Sequence, residues 1–470
     1  MIKFGTGGWR AVIGEDFTKA NIQKLAKALA LKMKDEGVAE KGMVIGYDRR
    51  FLSKEAMQWA GVIFASEGIQ TYLINRSSPT PLVIYYVMKH EMPYGMMVTA
   101  SHNPAVYNGI KIFTSGGRDA DELQTREIEN YIRELEDVDI KGMDYEAAVS
   151  SGSIVEINPI NEYIDAIINT IDLQAIREKG LRIALDPMYG VSETSLKTIL
   201  LTARCDVSTI HDRHDTLFGG KLPSPSAETL KSLQNYVIDR QCDIGIATDG
   251  DADRIGVIDD TGHFLHPNDI VVLLYYYLVK YKGMKGAAVR NIATTHMLDR
   301  VAESFGQKCY EVPVGFKYIP AKMMETNAVI GGESSGGLTV RGHIPGKDGI
   351  YTTSLLIEMI AVLGKKLSQI LSDIKEIYGD LTMEERDYPL SEQKRDRIYQ
   401  RLLMDKLIPK LPFEIEKISY LDGCKIYFRN GGWVITRFSG TEPLLRIFCE
   451  IPNAEDAKLI CETYETFLSL

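Results

Sequence analysis

The sequence has no run of the roughly 18 consecutive apolar residues that a membrane-crossing helix requires, which sets a helical membrane protein aside. Cysteine is sparse. Cys205, Cys242, Cys309, Cys424, Cys449 and Cys461 are scattered along 470 residues without a CxxC pair. That pattern suits reduced thiols better than a disulfide framework or a zinc site. Positive charge is also in deficit, with 54 Lys and Arg against 64 Asp and Glu, a net charge of −10. Such a balance argues against a nucleic-acid or anionic-membrane partner, so any anion has to be met by Arg and Lys gathered locally. The first residues lack the basic segment and apolar core of a secretory signal, and a soluble, cytoplasmic protein is expected. What is present is ordinary globular composition, 45% hydrophobic and 25% charged, with length for about three domains of roughly 150 residues, or four compact ones.

Along the chain, strand-like and helix-like segments alternate. Helical spacing of Ile22, Leu25, Ala26, Leu29 and Met33 predicts a helix over 18–36. Strands are expected at 42–47, 70–74 and 95–98, with helices at 53–67, 81–90 and 121–136, and a polar linker over 142–152. The same alternation returns from 160 to 258, with strands at 181–186, 243–247 and 255–258, and again from 267 to 363. This is the pattern of α/β domains with mostly parallel sheets. The last part differs: a charged helix over 391–407, four strands at hairpin spacing between 415 and 451, and a final helix capped by Asn453 predict an α+β domain. The expected division is 1–150, 151–262, 263–378 and 379–470.

Four loops are poor in packing value and rich in reactive groups. Thr99-Ala100-Ser101-His102-Asn103-Pro104 follows an apolar strand, so a rigid scaffold holds the Ser101 hydroxyl at a strand end. Asp249, Asp251 and Asp253 alternate with Gly250 and Ala252. Carboxylates this close repel unless a cation compensates, and hard oxygen ligands suit Mg²⁺. An EF-hand is excluded, since its sixth position would be Arg254 rather than Gly and its twelfth Asp260 rather than Glu. Gly332-Glu333-Ser334-Ser335-Gly336 matches the GxSxG nucleophile elbow in letters, but no helical pattern follows it. Glu333 and Ser335 offer instead the acceptor and donor that sugar hydroxyls need. Arg437, Ser439, Gly440, Thr441 and Arg446 combine two guanidinium forks, two hydroxyls and exposed backbone, a set suited to a phosphate dianion. Lys111, Lys317 and Lys347 follow strands or glycines.

In this order and spacing, TASHNP, DGDADR, GESSG and RFSGTEP resemble the signatures of the α-D-phosphohexomutase family. FGTGGWR near the start, GFK at 315–317 and KDG at 347–349 extend the likeness over nearly the whole chain. The resemblance implies three consecutive α/β domains of related topology plus a smaller C-terminal α+β domain around a central cleft. It implies that Ser101 carries a transferable phosphate and that Asp249, Asp251 and Asp253 bind Mg²⁺ together with that phosphate on Ser101. Arg10, Lys111, Arg254 and Lys317 match family positions at the phosphoserine or substrate. Glu333 and Ser335 match the sugar-contacting loop, Lys347 counts among the substrate-binding positions, and Arg437, Ser439, Gly440, Thr441 and Arg446 match the distal phosphate loop. One departure stands out: the mannose- and glucosamine-phosphate branches tend to carry His where this chain has Gly337.

The activity so implied is interconversion of hexose 1-phosphate and hexose 6-phosphate through a phosphoserine, with Mg²⁺ and hexose 1,6-bisphosphate as intermediate and activator. The partner expected is a small-molecule sugar phosphate, and the chain is expected to be a monomer or small homo-oligomer. Glucose phosphate is expected to be preferred, because a cationic surrounding from Lys317 and Lys347 disfavours the ammonium of glucosamine phosphate. Phosphomannomutase and phosphoglucosamine mutase are the alternatives, and a metal-dependent serine phosphatase is the more distant one.

Overall fold

A computed structural model of the chain describes every residue except Met1, Thr6, Asp137, Thr441 and Glu442. The chain forms two compact units, Met1–Ile270 with Ser335–Ile370, and Val271–Ser334 with Leu371–Leu470. Among the described residues, no helix is long and apolar enough to cross a membrane.

Two sheets build the first unit. In the first, the strands Tyr94–Val98, Met43–Tyr47, Thr71–Ile74 and Ile154–Ile157 run parallel in that order. Tyr107–Thr114 then pairs antiparallel with Tyr94–Val98, and Trp9–Val12 antiparallel with it in turn. In the second sheet, Ile244–Thr248, Arg182–Asp186 and Asp206–Thr209 are parallel, and Ile255–Ile258 pairs antiparallel with Ile244–Thr248. Each parallel run is therefore continued by a reversed strand, and the Ser101 loop and the Asp249 loop occupy the same place in their sheets. Apolar side chains on both faces of the parallel strands explain their burial: Met43–Tyr47 and Ile244–Thr248 are buried throughout.

In the second unit, Cys309–Val312, Ala288–Asn291 and Ile330–Gly332 are parallel, with Ala288–Asn291 between the other two. A five-stranded antiparallel sheet follows, in the order Thr382–Pro389, Leu444–Ile451, Trp433–Phe438, Cys424–Phe428, Ile415–Ser419. Its apolar face packs with the helix Ala454–Leu468, whose Ile460, Cys461 and Tyr464 are fully buried. Asn453 caps that helix, its Oδ1 accepting from Glu455 N at 2.8 Å.

Several elements depart from the sequence expectation. The stretch 142–152, expected as a linker, contains the helix Tyr145–Ser150, started by Asp144 accepting from Ala147 N and anchored by buried Ala148. The loop after it continues into Ile154–Ile157, which completes the parallel run of the first sheet. A helix, Tyr318–Thr326, follows Lys317 directly. The helix expected over 391–407 is α-helical only over Glu392–Tyr399 and widens into a π turn at Gln400–Met404. Thr382–Pro389 is a strand with charged residues at its centre, Glu384 to Asp387, and none of its residues is buried, so no apolar pattern announces it.

Candidate active site

The Ser101 loop is shaped by a group that lies far from it in sequence. Arg50, 3% exposed, donates to four backbone carbonyls of the loop: Ser101 O at 2.7 Å, Asn103 O at 2.6 Å, and Pro104 O and Tyr107 O at 2.9 Å each. Asp48 secures the other side, accepting from Thr99 Oγ1 at 2.6 Å, Ser53 Oγ at 2.8 Å and Arg50 N at 2.9 Å. Burial pushes the Asp48 carboxyl up, while Arg50 and these donors pull it back. Within this clamp Ser101 has φ of 52°, in the left-handed region. A non-glycine residue there costs on the order of 1–3 kcal/mol and persists only where its surroundings over-determine it.

That conformation presents Ser101 Oγ to the aspartate loop, where it donates to Asp249 Oδ2 at 2.9 Å. The two loops meet backbone to backbone. A Cβ at Gly250 would lie 2.7 Å from Ser101 O, so only glycine fits between them. Asp249, Asp251 and Asp253 are all buried, and one oxygen from each lies within 4.8 Å of the others. Asp251 Oδ2 accepts from Thr80 Oγ1 and Lys111 Nζ, both at 2.6 Å. Asp253 Oδ2 accepts from Lys111 Nζ at 2.7 Å and lies 3.0 Å from Lys347 Nζ. Asp249 Oδ1 accepts from the backbone N–H groups of Asp253 and Arg254 at 3.0 Å each.

Charge is unevenly distributed over the trio. Burial works to raise Asp253, yet Lys111, Lys347 and Arg254 hold its carboxyl well below the usual range. Asp249 goes the other way: burial and the charges of Asp251 and Asp253 push it well above. Asp251 Oδ1 and Asp253 Oδ1 are buried and accept no hydrogen bond among the described residues. Orphaned carboxylate oxygens beside a third carboxylate and a hydroxyl are the donor set of a hard divalent cation, so these residues fit Mg²⁺.

Further cations close the site. Arg10 Nη1 donates to Asn103 Oδ1 at 2.5 Å, and Arg254 Nε lies 3.8 Å from Asp253 Oδ1. His102 Nδ1 is 3.3 Å from Ser101 Oγ, and Arg254, burial, Arg10 and Lys347 keep this imidazole well below its ordinary pKa, hence neutral. The structure thus brings Ser101, Arg10, Lys111, Arg254, Lys347 and the three aspartates together. Sequence reasoning missed Asp48, Arg50, Thr80 and His102. Asp48 and Arg50 follow the strand Met43–Tyr47 in the way the other loops follow theirs, which was the available signal.

The other expected residues lie mainly in the second unit. Glu333, 8% exposed, accepts through Oε1 from Asn291 Nδ2 at 3.1 Å and Gly315 N at 3.3 Å. Lys317 precedes the helix Tyr318–Thr326 with its Nζ 5.1 Å from the Tyr318 ring centre. Arg437 and Arg446 are direct partners across the antiparallel pair Trp433–Phe438 and Leu444–Ile451. Like charges opposite one another on a sheet are unfavourable, and each leans on an acid, Asp422 at 3.3 Å and Asp387 at 3.6 Å. Ser439 N closes the connecting loop on Leu444 O at 2.9 Å, and Gly440 is exposed. Thr441 lies outside the described residues. Ser335 belongs to the first unit and is exposed; the chain after it runs into the strand Leu338–Val340, not a helix, as expected for a loop that is no nucleophile elbow.

Comparison with known proteins converges on one family. Models of phosphoglucomutase/phosphomannomutase match in chain order: alpha/beta/alpha domain I at residues 1–139, domain II at 161–262, domain III at 266–378, and the C-terminal domain at 402–465. A phosphoglucomutase/phosphomannomutase of Thermococcus kodakarensis is 31% identical over 97% of this chain and 96% of its own length. A phosphoglucosamine mutase of Acetivibrio thermocellus is 30% identical over 95% of this chain and 94% of its own. A crystal structure from Thermus thermophilus, described as a candidate phosphomannomutase, superposes with a TM-score of 0.86 at 29% identity, covering 100% of this chain and 99% of that one. With four domain models in register along it, the chain belongs to the phosphoglucomutase/phosphomannomutase family and is a phosphohexomutase, an isomerase.

Proposed function

We propose that the chain interconverts hexose 1-phosphate and hexose 6-phosphate through a phosphate carried on Ser101, with glucose phosphate as the preferred substrate. The observation that supports the carrier is the Ser101 hydroxyl on Asp249 Oδ2 at 2.9 Å, at the edge of three buried carboxylates. A phosphoserine carries about −1.5 to −2 charges. Arg10, Arg254, Lys111 and Lys347 supply the local cations that an overall acidic chain lacks. Mg²⁺ held by Asp249, Asp251, Asp253 and the phosphoserine would offset charge on the transferring group.

In the first half-reaction the bond from Ser101 Oγ to phosphorus breaks as the free sugar hydroxyl bonds to phosphorus, and the hydroxyl proton ends on the serine. Hexose 1,6-bisphosphate results. After the bisphosphate turns end over end, its other phosphate returns to Ser101. Arg437 and Arg446, paired across their strands, with Ser439, Gly440 and Thr441 between them in the sequence, suit the phosphate that is not being transferred, because guanidinium forks grip its oxygens. Glu333 and Ser335 are assigned to ring hydroxyls and Lys317 to the anionic substrate.

Glucose is placed first because Arg10, Arg254 and Lys347 make the reacting end cationic, which works against the ammonium of glucosamine phosphate. Glucosamine phosphate is the second reading, since phosphoglucosamine mutases are 30% identical over nearly the whole chain. The test is kcat/KM for glucose, mannose and glucosamine 1-phosphates, measured with release of inorganic phosphate. A preference for glucosamine reverses the sugar assignment, and stoichiometric release of phosphate replaces the mutase by a phosphatase.

A further inference from the structure

Lys347 reaches Asp253 by a path that only a missing side chain leaves open. A Cβ built on Gly337 would lie 2.2 Å from Lys347 Cδ and 2.8 Å from its Cγ, but 3.6 Å from its Cβ. The first two distances are impossible contacts, whereas the third is ordinary packing. Gly337 is buried, and its φ lies outside the left-handed region that favours glycine. Neither backbone strain nor solvent exposure therefore explains glycine at this position; the Lys347 stem does. That stem fills the space above Gly337 and carries its ammonium to 3.0 Å from Asp253 Oδ2.

We infer that Gly337 is a positioning residue which acts on the reaction solely by seating Lys347 on Asp253. The inference rests on the reading of Lys347 as one of the cations at the transferring phosphate. Any side chain at position 337 evicts the Lys347 stem, since a flexible chain yields more readily than backbone. Two consequences then separate. The reacting end loses one positive charge, so turnover falls. The aspartate trio loses one of the ammonium groups that compete for Asp253, so a divalent cation binds more tightly. A substitution that merely damages the loop would weaken metal binding and turnover together.

The experiment is a double-variant cycle on the full chain: Gly337→Ala, Lys347→Ala and the pair combined. Mg²⁺ binding is read by isothermal titration of dephosphorylated protein, turnover by kcat on glucose 1-phosphate, and integrity by melting temperature. Gly337→Ala and Lys347→Ala should each lower kcat by roughly ten- to a hundredfold, the loss of one charge-assisted contact. Each should tighten Mg²⁺ binding by roughly tenfold, the effect of removing a unit charge beside a divalent ion. In the combined variant neither quantity should change further. Its melting temperature should be no lower than that of Gly337→Ala, because an alanine at 347 keeps only the ordinary contact. Full activity in Lys347→Ala would remove the reading of Lys347 itself. Impairment in Lys347→Ala with a normal Gly337→Ala, additive losses in the pair, or weaker Mg²⁺ binding in Gly337→Ala would each overturn the positioning role while leaving Lys347 in place.

Discussion

The Arg50 clamp gives the sharpest quantitative expectation. Replacing Arg50 by Met keeps much of the side-chain volume but removes every donor. The carbonyls of Ser101, Asn103, Pro104 and Tyr107 then lose their shared partner; Ser101 O is buried, while water reaches part of the other three. A buried acceptor left unsatisfied costs about 1–3 kcal/mol, and with Ser101 O buried and the other three partly wetted the loss comes to about 3 kcal/mol. Asp48 retains Thr99, Ser53 and the backbone N–H of residue 50 but loses the Arg50 charge that most offsets its burial, which adds to the loss. The loss is local, and local opening is read by amide hydrogen exchange. The N–H groups of Asn103 and Tyr107, bonded to Ala100 O and Pro104 O within the loop, report it directly. At 1.4 kcal/mol per decade their exchange should accelerate by roughly 10²-fold, with amides of the strand Thr71–Ile74 unaffected. Ser101 should also relax from its left-handed conformation, lowering kcat more than it raises KM. Acceleration of less than tenfold at Asn103 and Tyr107 would refute the claim that Arg50 holds the loop.

Other expectations follow from the same geometry. Ser101→Ala should abolish turnover and leave the melting temperature nearly unchanged; intact mass should show a phosphate on the active protein that this variant lacks. Exhaustive chelation should remove activity, with Mg²⁺ restoring it in the original protein but not in Asp251→Asn, whose Oδ1 is one of the two orphaned oxygens. Arg446→Ala should weaken substrate binding by about 1.5–3 kcal/mol, and an unchanged KM and kcat would remove the phosphate role of that loop. A pH effect is expected at His296, where burial and Arg290 lower the imidazole to about 3 and Lys425 Nζ lies 3.1 Å from Nε2. Because this pKa is depressed below the unfolded value, the unfolded chain binds the extra proton first, and stability is lost as pH falls below about 6.5. Between pH 6.5 and 4.5 that amounts to roughly 2–3 kcal/mol, and His296→Gln should flatten the corresponding slope in hydrogen exchange of the strand Trp433–Phe438.

The sequence by itself determined the local chemistry. Ser101 after an apolar strand, three alternating aspartates, and two arginines flanking a Ser-Gly-Thr stretch were legible because each group is contiguous and its residue types dictate what it can bind. Strand and helix alternation was legible for the same reason: burial of a strand or of one helix face writes a short-range pattern. The edge strand Thr382–Pro389 and the helix Tyr145–Ser150 escaped, since neither buries enough apolar surface to leave a period.

Tertiary structure alone decided how the pieces act on one another. The bond from Arg50 to Ser101 O spans 51 residues, and that from Ser101 to Asp249 spans 148. No local pattern encodes such separations: the first joins loops that follow two neighbouring parallel strands of one sheet, and the second joins loops at equivalent places in two sheets. The meaning of Gly337 was equally invisible. In the sequence it is a residue without a side chain; in the fold it is the space through which Lys347 reaches Asp253. A contact made through absence has no signature in the chain that makes it, since only the packed neighbour reveals that the volume is in use.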